Sequence, residues 1–214
     1  MEILDKKVKI QKLIENGYDF DINKYLSEGW DLFKNSAGLF ILYALLVFVI
    51  NAVIPFAGFV VGAVLFSGYY LAAHKIDTNG SVKLEDFFKS FDFFLPLFLA
   101  GLIGGILTFF GMLLLIIPGI WLAVALSFSY QLVVFEGMDF WESIETSVKI
   151  VNKRWFNFLL LWVVMLGINI LGAIPLGLGL LITFPYTALV FYSCYKHVVG
   201  LKAEREYDLT DHMV

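Results

Sequence analysis

Met112–Phe128 reads MLLLIIPGIWLAVALSF. The run is apolar enough for a bilayer interior, yet Pro118-Gly119 stands in its middle. Proline removes a backbone donor and disfavours helix at the residue before it. Glycine permits a sharp reversal. The pair therefore predicts that one overlong apolar run is folded into two antiparallel helices.

The rest of the chain repeats this problem. No Asp, Glu, Lys or Arg occurs from Asn35 to Ala73, from Phe93 to Phe135, or from Phe156 to Tyr195. Each gap runs for about 40 residues, whereas one spanning helix needs roughly 20. A single helix filling a gap would be about 60 Å long, twice the hydrocarbon core. Each gap is therefore read as two spans and a tight turn, with the turns at Pro55, at Pro118-Gly119 and at Pro175. The expected spans are 37–54, 57–73, 94–116, 120–135, 156–173 and 177–195. Pro185 falls inside the last and is expected to kink it.

Composition agrees with a membrane class. Of 214 residues, 60% are hydrophobic and 16% charged, against roughly 45–50% and about 25% in soluble domains. Mean hydropathy is +0.82. The net charge of −4 argues against broad nucleic-acid binding, and none is expected. A single cysteine, Cys194, cannot form an internal disulfide and reads as a small buried hydrophobe. The charged start lacks the apolar core of a signal peptide. The first apolar segment, from Ala37, is expected to remain as an uncleaved anchor.

Basic residues set the orientation. They precede span one (Lys6 to Lys34), separate spans two and three (Lys75, Lys83, Lys89) and spans four and five (Lys149, Lys153, Arg154), and follow span six (Lys196, Lys202, Arg205). The three turns carry none. The positive-inside rule places both termini and both long loops in the cytoplasm.

Three amphipathic stretches precede spans one, three and five. Ile22, Tyr25, Leu26, Trp30 and Phe33 fall at helical spacing in the first. Leu84, Phe87, Phe88 and Phe91 do so in the second, and Trp141, Ile144, Val148, Val151 and Trp155 in the third. Asp139 and Glu142 give the third a start signal. Each is expected to lie in the headgroup plane, with Trp30, Trp141 and Trp155 as interfacial anchors. The fold is thus read as all-α, with six transmembrane helices in three Pro-turn hairpins, each preceded by a cytoplasmic interfacial helix. An N-terminal amphipathic segment (1–20) leads into one membrane domain (21–200, with units near 21–76, 81–137 and 138–200) and a polar tail (201–214). The units run in the same direction at a period near 60 residues.

The stretches EGWDLFKNSAGLFI, GMLLLIIPGIWLAVALSF, WESIETSVKIVNKRWF and GLGLLITFPYTALVFYSCY resemble an uncharacterised bacterial six-span membrane family. That family looks related to the membrane domain fused to some glycerophosphodiester phosphodiesterases. The resemblance covers about residues 20–197 and implies the six-span fold. No part of the sequence corresponds to the phosphodiesterase catalytic domain, so that activity is not carried over.

Chemistry is sparse. No phosphate loop, no metal-ligand spacing and no nucleophile with an oriented base is legible. No catalytic, cofactor or metal residue is assigned, and an enzyme is not expected. His74 and His197 are read as headgroup-facing, and His212 lies in the tail. No ionisable Asp, Glu, Lys, Arg or His lies inside a span, which argues against proton- or cation-coupled transport. Asn51 and Asn169 precede turn prolines and are read as caps for the turn backbone. Gly104, Gly105 and Gly111 are read as helix-packing residues. Tyr130, Gln131, Asn169, Pro185 and Tyr186 are the candidate polar pocket between helices. The expected function is a non-enzymatic membrane protein that organises lipid or binds a membrane partner, in envelope homeostasis or immunity. The alternative is a transporter or channel for a neutral or lipid-like substrate. Its partners would be the bilayer and a membrane protein or a second copy of the chain.

Overall fold

The computed structural model describes residues 2–54 and 56–201, and every regular element there is helical. The helices are α1 (Glu2–Asn16), α2 (Ile22–Asn35), α3 (Ala37–Val53), α4 (Ala57–Asn79), α5 (Leu84–Phe88), α6 (Phe94–Leu114), α7 (Ile116–Ala125), α8 (Ser129–Glu136), α9 (Phe140–Asn152), α10 (Trp155–Ala173) and α11 (Leu180–Tyr195). A 3₁₀ segment, Lys89–Phe93, joins α5 to α6, and a π-helical turn, Lys196–Gly200, follows α11. Four stretches are long and apolar enough to cross a membrane: Ala57–Asn79, Leu84–Leu114, Ile116–Glu136 and Trp155–Ala173. A fifth counts if α2 and α3, bent by 90° at Ser36, form one broken span. The architecture is that of a multi-pass membrane protein.

The opening puzzle resolves differently from the sequence expectation. The chain reverses at Leu115, which alone is extended between α6 and α7. Pro118 and Gly119 lie in the first turn of α7. A proline costs little there, because the first amides of a helix have no partner within it. Gly119 serves packing. A Cβ at Gly119 would fall 2.5 Å from the Met112 backbone nitrogen, and one at Gly111 would fall 3.1 Å from the Gly119 Cα. The two helices run back along each other in contact through these glycines. Pro175 does sit in a turn, between α10 and α11, where Gly172 and Gly179 meet in the same way. Pro55 lies outside the described residues, as do residue 202 onward and His212.

The expected helix 120–135 is broken. α7 ends at Ala125 and α8 begins at Ser129. The break frees backbone groups inside the protein, and Ser147 of α9 takes them up. Its buried hydroxyl donates to the Ala125 carbonyl at 2.7 Å and accepts from the Phe128 amide at 3.1 Å. The second amphipathic helix also departs from expectation. It is one turn, α5, followed by the 3₁₀ segment. Asp86 fixes where it starts: it is 1% exposed, accepts from the Lys83 amide at 2.8 Å and pairs with Lys75 and Lys89. A carboxylate so placed caps the helix at Lys83.

The first and third amphipathic helices form as expected. Asp21 caps α2 and Asp139 caps α9. Tyr25, Gly29 and Phe33 form the buried face of α2. Gly29 lets α2 cross α11 closely, since a Cβ there would fall 2.9 Å from the Val190 amide nitrogen. α1 docks on α9 through Ile10, which is buried. Tyr18 follows it and donates to the Ile150 carbonyl at 2.8 Å. Burial pushes the Tyr18 phenol up, so it remains a donor at physiological pH.

α11 is the hub. Ala188 through Tyr195 are all buried, against α2, α3, α4 and α10. A helix buried all round needs an apolar sequence on every face, as LITFPYTALVFYSCY provides.

Replacing Ser147 by Ala leaves the Ala125 carbonyl and the Phe128 amide without their buried partner. The expected loss is about 1–3 kcal/mol, read as a lower thermal midpoint of the purified protein in detergent. Ser143→Ala is the comparison. Its hydroxyl bonds the Phe140 carbonyl of its own helix, so its midpoint should fall less.

Candidate functional site: a groove between helices

A cavity of about 590 Å³ lies among α4, α6, α7, α8, α10 and α11. That is within the range of small-molecule sites, roughly 300–1,000 Å³. Its wall is largely apolar. Phe109, Met112 and Leu166 line it and are also exposed on the outer surface of the bundle. The cavity is therefore a lateral groove.

The polar groups in its wall are uncharged. Asn169 donates to the Thr187 hydroxyl at 2.7 Å and to the Met165 carbonyl at 2.9 Å. Thr187 donates onward to the Thr183 carbonyl. Trp162 donates to the Ser127 hydroxyl at 2.8 Å. Asn169 Oδ1 and Ser129 Oγ are buried without a hydrogen-bond partner among the described residues. Buried acceptors in that state cost free energy until something supplies a donor. Tyr130 stands beside Gly101, where a Cβ would fall 3.3 Å from the phenol oxygen. A second cavity of about 450 Å³ lies on the other side of α6, and Gly101, Gly105, Phe109 and Tyr130 line both.

Two of the five predicted pocket residues are brought together here, Tyr130 and Asn169. The other three are elsewhere. Gln131 is fully buried and donates to the Phe191 carbonyl at 3.0 Å. The Tyr186 phenol donates to the Leu26 carbonyl at 3.1 Å, so it ties α11 to α2. Pro185 is buried inside α11. Asn169 also does not cap its turn, because it reaches across to α11. Asn51 bonds the Val47 carbonyl of its own helix. Gly105 does not pack a helix: a Cβ there meets nothing within 4 Å. Ser127 and Thr187, polar residues within the expected spans, do line the groove, and Trp162 joins them, a lining residue the sequence reading missed.

The three tryptophans read as anchors differ in role. Trp30 stacks on Phe33 and meets Tyr186 edge-on. Trp141 is half exposed, with its indole donating to Glu145. Trp155 donates to the Trp121 carbonyl and packs against the core.

A second polar cluster gathers at the charged end of the bundle. The Glu28 carboxylate accepts from the Ser193 hydroxyl and meets His197 Nε2, each at 2.8 Å. Asp77 accepts from Tyr192 at 3.2 Å and pairs with Lys196 at 2.7 Å, and Tyr192 meets His74 Nδ1 at 3.2 Å. The histidines read as headgroup-facing thus join α2, α4 and α11. Ser, His and Glu occur together, but the carboxylate stands between the other two. An activated serine needs the imidazole as its own partner. This order fastens helices and does not generate a nucleophile. No group of three metal-ligating side chains occurs among the described residues.

A leucine at Gly105 should leave the fold intact, with an unchanged or slightly raised thermal midpoint, since glycine costs about 1 kcal/mol within a helix. Alanine at Gly119 should cost at least the roughly 1–3 kcal/mol of stability typical of overpacking, read as a lower thermal midpoint, because the Met112 backbone blocks it.

Residues 24–204 match DUF7847, a domain of unknown function, and the chain belongs to that family. No curated protein and no solved structure matches the chain.

Proposed function

We propose that this DUF7847 protein is a non-enzymatic integral membrane protein that holds a lipid-like molecule in the lateral groove. The proposal includes six crossing helices in three hairpins, both termini cytoplasmic, in a bacterial inner membrane. It also includes a relation to the membrane domain of glycerophosphodiester phosphodiesterases, which the run IIPGIW suggests. One observation carries the reading. The groove is apolar, faces the surrounding lipid, and offers uncharged hydrogen-bonding groups deep inside. A molecule with an apolar body and a small neutral head satisfies both features. An ion or a charged solute satisfies neither, since no Asp, Glu, Lys, Arg or His lines the groove.

Transport of such a molecule is the second reading. The cavity on the far side of α6, sharing Gly101, Gly105 and Tyr130 with the groove, favours it.

Native mass spectrometry of protein extracted gently from its own membrane tests the first reading. The expected result is a stoichiometric neutral lipid-like adduct that Gly105→Trp removes, because Gly105 lines the groove and a Cβ there meets nothing within 4 Å. An adduct retained at wild-type level in Gly105→Trp would reject the groove as its seat. Flux of a neutral lipid analogue in proteoliposomes tests the second. It should be measurable for the wild type and abolished by the same substitution; no wild-type flux rejects transport.

A further inference from the structure

Two cavities meet along one face of α6. The larger is the lateral groove of about 590 Å³. The smaller, of about 450 Å³, lies between α4 and α6. On α6, Gly104 and Thr108 line the groove alone, and Leu102 and Ile106 line the second cavity alone. Gly101, Gly105 and Phe109 line both.

The shared residues follow one another at four-residue spacing, so they lie on one face of the helix. Two of the three have no side chain. At Gly101 the space is filled: a Cβ there would fall 2.9 Å from the Ala63 Cβ and 3.3 Å from the Tyr130 hydroxyl oxygen. One turn further on, at Gly105, a Cβ would meet nothing within 4 Å, and Gly105 is itself exposed. The junction of the two cavities is therefore closed by Tyr130 at one level and open to the side at the next.

Tyr130 is the single polar side chain lining the second cavity, and it lines the groove as well. Its hydroxyl makes no hydrogen bond among the described residues. A phenol both donates and accepts, so it suits a neutral head that carries esters and a hydroxyl. No Asp, Glu, Lys, Arg or His lines either cavity. Each cavity by itself has the size of a site for one small apolar body, roughly 300–1,000 Å³. Both reach the outer surface of the bundle, through Leu166 at the groove and through Phe59 and Ile106 at the second cavity. A molecule with one chain would fill one cavity and leave the other empty.

We propose that the occupant is a neutral lipid with two chains, of the diacylglycerol class. One chain lies in each cavity, and the head lies among the polar groups of the groove, beside Tyr130. This rests on the groove being a lipid seat and adds the second cavity to that seat. Two apolar spaces that diverge from one unpartnered phenol match two chains that diverge from one small neutral head. Entry is sideways, past Gly105.

The test uses the full chain, purified in detergent, with two probes that share a glycerol head. One is dioleoylglycerol. The other is 1-oleoyl-2-acetylglycerol, which has a single long chain. Native mass spectrometry counts the adducts at equal probe concentration. The dioleoylglycerol adduct should be roughly tenfold more populated, because its second chain packs where the other probe leaves a void. Val60→Trp enlarges a side chain that lines the second cavity and not the groove, and Val60 is 44% exposed. In that variant the two-chain adduct should fall to the level of the one-chain adduct. The one-chain probe is seated in the groove, so its persistence shows that the variant is folded. Equal adducts of the two probes on the wild type overturn the proposal and leave the groove as a one-chain seat. A two-chain adduct unchanged by Val60→Trp does the same. Absence of both adducts from the wild type rejects the groove as a lipid seat, and this proposal with it.

Discussion

A backbone amide or carbonyl in hydrocarbon has no water to turn to, so each interruption of a helix must be satisfied from within the protein. The rest of this structure depends on that constraint. Where α7 stops and α8 begins, the Ser147 hydroxyl acts as both donor and acceptor and closes the gap. Where α6 reverses into α7, the interruption shrinks to one residue. Where α10 reverses into α11, successive turns bond one another. α9 is held beside the break because Ser147 is needed there, and this places an amphipathic helix against the end of α7.

The groove lies beside the same interruption. Just past it, Gln131 of α8 bonds the Phe191 carbonyl of α11. Tyr130 and Ser127 are left facing the space between α6 and α10. Glycines at 101 and 105 keep that space open along α6. The polar groups that line it come from segments distant in sequence: Asn169 from α10, Thr187 from α11 and Ser127 from the break.

This explains what the sequence disclosed. An all-helical chain with several apolar helices long enough to cross a membrane followed from the charge gaps, whereas the prolines misplaced the second reversal, which falls at Leu115. Capping followed from Asp21 and Asp139, which act within one turn. The break at 126–128 was not legible, because LSFSY contains no Pro or Gly and its cause, Ser147, lies a full helix away. Asn169 was read both as a turn cap and as a pocket residue, and its bond to Thr187 on another helix supports the second reading. His74 and His197 were read as headgroup-facing. Their partners, Tyr192 and Glu28, come from other helices, and no spacing rule connects them.

In the topology proposed, the charged cluster sets the depth of the bundle in the membrane. Glu28, Ser193 and His197 fasten α2 across α11 at a right angle to α3. With α2 in the headgroup plane, it cannot follow α3 downward, because burying Glu28 away from its partners would leave a charge in hydrocarbon. On that reading the groove keeps its depth relative to the lipid chains beside it, and it would discriminate lipid-like molecules by where along their length the polar head falls, because Asn169 and Thr187 meet only a head at their own level.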